Sequence, residues 1–101
     1  MQSKIYVGTE LKFTISIRAS GFDMSEDNWE VDIVCNSNTV HIDKSDAIED
    51  GQGLWYICFD TQELGVGAYY AIIKAYVPDS DFEDGFRTEI KKEFLLNVAS
   101  L

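Results

Sequence analysis

Leu11-Lys12-Phe13-Thr14-Ile15-Ser16-Ile17-Arg18 alternates apolar and polar side chains without a break. A period of two over this length marks a half-buried strand, with Leu11, Phe13, Ile15 and Ile17 toward a core and the polar residues toward water. Trp29-Glu30-Val31-Asp32-Ile33-Val34-Cys35 repeats the pattern, with Trp29, Val31, Ile33 and Cys35 inward. Tyr69 to Val77 repeats it again, with Tyr69, Ala71, Ile73, Ala75 and Val77 inward. Pro78 ends that run because proline has no N–H to donate to a ladder.

The rest of the chain falls into place around these three alternations. Ile5-Tyr6-Val7 reads as a short first strand. Thr39-Val40-His41-Ile42 follows the turn Asn36-Ser37-Asn38. Leu54 to Phe59 is a dense apolar run, with Trp55, Ile57 and Phe59 on one face and Leu54, Tyr56 and Cys58 on the other. A last strand runs from about Thr88 to Val98, with Phe94, Leu96 and Val98 inward. The connections are Ser20 to Asp23, Asp43 to Gly53 (with one helical turn expected within Ser45–Glu49), Asp60 to Gly67 and Asp79 to Gly85. About seven short strands with turn signals between them predict an all-β sandwich. Residues 1–101 are expected to form one domain, with Phe13, Ile15, Trp29, Ile33, Trp55, Ile57, Tyr69, Ile73, Phe94 and Leu96 in its core.

Composition narrows the function classes. The chain has 101 residues, 46% of them hydrophobic and 13% aromatic, enough for one core without disulfide or metal staples. Acidic residues number 18 against 8 basic ones, a net charge of −10. That balance opposes nucleic-acid binding, whose affinity comes from cationic side chains neutralising phosphates. It equally disfavours attachment to anionic lipid, and it favours cationic partners. No apolar stretch approaches the roughly 18 residues of a membrane span, so no membrane partner is expected. The start, MQSKIYVGTEL, carries no secretory apolar region. Synthesis in the cytoplasm is the expectation; localisation beyond that, including a leader outside this chain, is left open.

Candidate chemical groups are few. Cys35 and Cys58 lack CxxC spacing and fall on opposite strand faces, so two free thiols are expected. His41 is the single histidine, and its place between Val40 and Ile42 reads as a half-exposed strand residue, not a catalytic base. Asp79, Asp81, Glu83 and Asp84 gather in one loop. Counted from Asp79, the sixth position is Asp84 and the twelfth Ile90, where an EF-hand needs Gly and Glu. A solvated hairpin tip is the expectation, with weak calcium binding at residues 79–85 as the alternative. Gly51-x-Gly53 and Gly65-x-Gly67 read as turns, since no GK[ST] and no helix follows either pair. No catalytic residue, cofactor or resident metal is expected.

Two resemblances bear on architecture and role. Gly65-Val66-Gly67-Ala68-Tyr69-Tyr70-Ala71 resembles the approach to the sixth strand of immunoglobulin domains, where a tyrosine bonds its hydroxyl back to the chain. The resemblance implies that Tyr69 is that corner tyrosine and that Trp29 stands near the family's core tryptophan. Ala71 sits where the family has its second cysteine, and Phe13 or Ile15 occupies the region of the first, so the family disulfide is absent. More loosely, Gly8-x-x-Leu11-x-Phe13-x-Ile15, Phe22-Asp23-Met24-Ser25, Gly67-x-Tyr69 and Phe94-x-Leu96-x-Val98 resemble immunoglobulin-like domains of phage baseplate and tail-accessory proteins. That resemblance implies a structural domain docking onto other virion proteins.

In such a layout the third, sixth and seventh strands share a sheet, whose outward residues include Val34, Tyr70, Ile72, Tyr76 and Leu95. A contiguous exposed apolar patch marks an interface. These five residues are therefore the expected site for a protein partner or for self-association. The competing expectation is a surface adhesin or carbohydrate-binding module with Trp29 or Trp55 stacking on a sugar.

Overall fold

The computed structural model describes residues 3–101. Its strands are β1 (Ile5–Tyr6), β2 (Glu10–Ile15), β3 (Trp29–Cys35), β4 (Asn38–Asp43), β5 (Ile48–Glu49), β6 (Trp55–Asp60), β7 (Gly67–Pro78) and β8 (Phe86–Ala99). Single 3-10 turns at Lys44–Asp46 and Thr61–Glu63 are the helical elements among the described residues. None is long and apolar enough to cross a membrane.

The strands form two sheets, one ordered β1-β8-β7-β3-β4 and the other β2-β6-β5. Pairing is antiparallel except between β1 and β8, which run parallel. The chain is thus an all-β sandwich, as its alternating pattern predicts, and β3, β7 and β8 lie side by side as expected. Ile17 and Arg18 lie beyond the end of β2, which stops at Ile15, although Ile17 still packs on the core.

The inward registers meet between the sheets. Trp29, Val31, Ile33 and Cys35 of β3 and Tyr69 of β7 are fully buried. They face Ile15 of β2 and Trp55, Ile57 and Phe59 of β6. The Trp29 and Trp55 rings meet edge to face at 5.4 Å, an arrangement the ring quadrupoles favour. Phe59 stacks with Phe13 at 5.8 Å and reaches Tyr69 at 6.2 Å. Burying each such side chain contributes about 1.5–3 kcal/mol.

The end of the sandwich is closed by Tyr69. Its hydroxyl lies 2.6 Å from the Gly65 carbonyl oxygen and 3.1 Å from that of Thr61, donating back across the turn that feeds β7. Burial pushes this hydroxyl up to about 12, with the nearby Cys35 and Asp60 adding to the effect, so it remains a donor. Thr61 is the one buried polar residue among the described residues and ties the connection between β1 and β2 to the same end. It accepts from the Gly8 N–H at 2.8 Å and donates to the Thr9 carbonyl at 2.8 Å.

One expected core position is overturned. Phe94 is 55% exposed, and Leu95 packs against the core instead. The cause is a bulge: Tyr69 pairs with Leu96 but Tyr70 pairs with Phe94, leaving Leu95 as an extra residue on β8. A bulge changes which alternate residues face inward on either side of it. Leu96 and Val98, beyond the bulge, keep the expected inward register.

Candidate functional site: the outer face of the larger sheet

Cross-strand register assembles the outer face in rows. Phe94, Tyr70, Val34 and Thr39 form one row; Lys92, Ile72, Asp32 and His41 form the next; Ile90, Lys74, Glu30 and Asp43 form a third. The β8 and β7 side of this surface is apolar and aromatic, whereas the β3 and β4 side is acidic around one histidine.

On the apolar side the Phe94 and Tyr70 rings meet edge to face at 5.6 Å. The Lys92 ammonium lies 4.6 Å from the centre of the Tyr70 ring, a cation–π contact. Val34, Tyr70, Ile72 and Tyr76 lie on this face in the expected outward register, but they are half-buried where an exposed patch is expected. Tyr76 is committed to the chain itself, since its hydroxyl donates to Glu30 at 2.6 Å and its pKa is raised by that bond. Leu95 does not belong to the face, for the bulge turns it inward. Phe94 takes its place, and Ile90 at 60% exposure extends the patch along β8.

On the acidic side His41 is clasped by three carboxylates. Its Nδ1–H donates to Asp32 at 2.6 Å and its Nε2–H to Asp43 at 2.9 Å, with a Glu30 oxygen 3.4 Å from Nε2. The Asp32 bond, then the Asp43 bond, hold the imidazole up to about 9. The group is thus an imidazolium at neutral pH, neutralising part of the charge that β3 and β4 bring together. Glu30, His41 and Asp43 offer ligand-type atoms within 4.8 Å of one another, but the imidazolium fills the position that a cation would take. Sequence reasoning missed this cluster, because Asp32 is nine positions from His41 and meets it only through β3–β4 pairing.

The other candidates resolve as follows. Cys35 is buried and Cys58 is exposed on the outer face of the smaller sheet, both as free thiols. In the loop joining β7 to β8, the Asp79 carboxylate accepts from the Asp81 N–H at 3.0 Å and from Arg87. Those two contacts, the backbone N–H first, hold it below the usual carboxylate range. Its oxygens are therefore occupied within the hairpin. A surface depression bordered by Asn28, Asp43, Lys44, Ala47, Glu49 and Trp55 has no histidine or cysteine in its lining. Of the two tryptophans, Trp29 is fully buried, and Trp55, 7% exposed, borders this depression.

No protein-family model, curated protein or solved structure matches the chain.

Proposed function

We propose that this chain is a non-enzymatic, immunoglobulin-like assembly domain that binds another protein through the outer face of its larger sheet. The observation that carries this reading is the apolar surface formed by Val34, Tyr70, Ile72, Phe94 and Ile90. A lysine covers one tyrosine ring on each sheet, Lys12 over Tyr56 at 4.5 Å and Lys92 over Tyr70 at 4.6 Å, and the smaller sheet has Ile48 exposed beside Tyr56, so the difference lies in the number of large apolar groups left open. The larger sheet leaves Ile90 and Phe94 uncovered, and large exposed apolar side chains grouped on one sheet favour docking over solvation alone.

The acidic row of Glu30, Asp32 and Asp43 borders this patch, and the whole chain carries −10. Such a surface fits a partner with lysines and arginines around an apolar contact. The Tyr69 corner and the strand order support the immunoglobulin-like architecture. The finer form of the proposal is a tail or baseplate component of a phage-like particle, supported by the resemblance of Gly8–Ile15 and the closing β8 pattern. Particles purified after prophage induction from cells carrying the gene are expected to contain the chain. The paired substitution Tyr70→Ala with Ile72→Ser is expected to abolish incorporation while leaving the circular dichroism spectrum unchanged. Equal incorporation of a folded double variant would remove the face from consideration.

A further inference from the structure

Strand β8 runs from Phe86 to Ala99, yet its side away from β7 is paired only at Val98 and Ala99, by β1. Among the described residues no backbone bond reaches that side between Phe86 and Leu96. The Asp79 N–H to Gly85 carbonyl bond, 2.9 Å, sets the alternation of the β7–β8 hairpin. It follows that Phe86, Thr88, Ile90, Lys92 and Phe94 turn their N–H and C=O groups toward the open edge. An open edge of this length is a template for a further strand.

The side chains along the edge are ordered on both faces. Phe86, Thr88, Ile90, Lys92 and Phe94 project outward, with Phe86, Ile90 and Phe94 all more than half exposed. Arg87, Glu89, Lys91 and Glu93 project to the other face, in register with Val77, Ala75, Ile73 and Ala71. Their charges alternate in sign.

We propose that β8 pairs antiparallel with β8 of a second copy of the chain, about a two-fold axis passing through Ile90. A two-fold axis normal to the sheet keeps each residue on its own face and gives a self-complementary contact. With the axis at Ile90, Lys91 meets the second copy's Glu89 and Glu93 meets its Arg87. Phe94 meets Phe86, Ile90 meets Ile90, and Lys92 meets Thr88. Moving the axis to Lys91 sets Lys91 against itself and Glu89 against Glu93. Moving it to Glu89 sets Glu89 against itself and Lys91 against Arg87. An axis at Lys92 opposes that lysine to itself, and one at Thr88 leaves Lys91 opposite Gly85. Charges on an edge also discourage casual pairing, but here their order is the one that the strand's own antiparallel copy complements. The contact is carried by the backbone groups of the sheet edge and by Arg87, Glu89, Lys91 and Glu93, and it shares Ile90 and Phe94 with the face assigned above to a partner.

Sedimentation equilibrium across the micromolar range tests the pairing with Lys91→Glu, Glu89→Lys and the double variant. Arg87 retains Asp79 when Glu89 is changed, and circular dichroism confirms the fold of each variant. The wild type is expected to dimerise. Each single reversal creates two symmetry-related like-charge pairs and is expected to weaken the dimer about tenfold. The double variant restores opposite charges and is expected to recover the wild-type constant. A monomeric wild type, single reversals without effect, or a double variant that fails to recover would overturn the pairing. So would a dimer that survives both reversals and is lost in Tyr70→Ala with Ile72→Ser, a result that leaves the assembly reading standing.

Discussion

Replacing Tyr69 with phenylalanine removes one oxygen from a fully buried side chain and tests the corner directly. The ring's packing against Phe59 is kept, so the effect isolates the hydroxyl. Its two acceptors differ in what they lose. The Thr61 carbonyl also accepts the Leu64 and Gly65 N–H groups at 3.1 and 2.8 Å, and remains satisfied. The Gly65 carbonyl takes its bond from Tyr69 alone among the described residues. One acceptor is therefore stranded, a loss of about 1–2 kcal/mol, held to that range because Gly65 is half-exposed and water reaches it. For a chain of this size that is a fall in Tm of roughly 4–8 °C per kcal/mol, or about 0.5–1 M in urea midpoint with an unchanged slope. Tyr69→Ala, which also opens a cavity, is expected to cost about 3–5 kcal/mol. Paired urea titrations of the two variants supply the comparison. A phenylalanine variant within about 0.5 kcal/mol of wild type would show that ring packing, without the hydroxyl, holds the turn between β6 and β7.

Two further outcomes follow from the same geometry. The His41 ring is expected to titrate at about 9 in the folded chain, followed by its imidazole proton shifts in NMR. Since the folded pKa lies above the ordinary 6.5, its stabilising contribution is complete below about 6.5 and is lost as pH rises toward 9; His41→Gln should flatten that part of the stability profile, and a ring titrating near 6.5 would contradict the clasp. Alkylation without denaturant should label Cys58 alone, and labelling in denaturant should add Cys35, because one thiol is exposed and the other is packed between the sheets; an unlabelled Cys58 would mean that its face is covered.

Period-two patterning was enough to read β2, β3 and β7, because each has one face in the core and one toward solvent. In that setting a one-residue slip would exchange every side chain. The role of Tyr69 was legible only through resemblance, since Gly65–Ala71 resembles the approach to the sixth strand of immunoglobulin domains, where a tyrosine bonds back to the chain. β8 was harder. Phe94-Leu95-Leu96 presents three apolar residues in a row, so alternation places none of them, and the bulge opposite Tyr69 and Tyr70 decides which one faces out. A bulge is a property of the pair of strands, and a single strand's pattern does not carry it.

The two halves of the outer face differ in the same way. Val34, Tyr70 and Ile72 could be assigned to it because each lies between inward residues of its own strand. The cluster around His41 could not, since its partners come from Asp32 across a ladder and from Asp43 two positions along β4. Nor could the order of charges on β8 carry meaning before its edge was known to be open. Arg87, Glu89, Lys91 and Glu93 read in sequence as an ordinary solvated alternation, and Ile90 as one isolated apolar residue among them. Once β1 is seen to cover only Val98 and Ala99, the same residues become a row of side chains flanking unpaired backbone. The contacts proposed for this chain therefore rest less on residue types than on which backbone groups and side chains of the described strands lie without a neighbour.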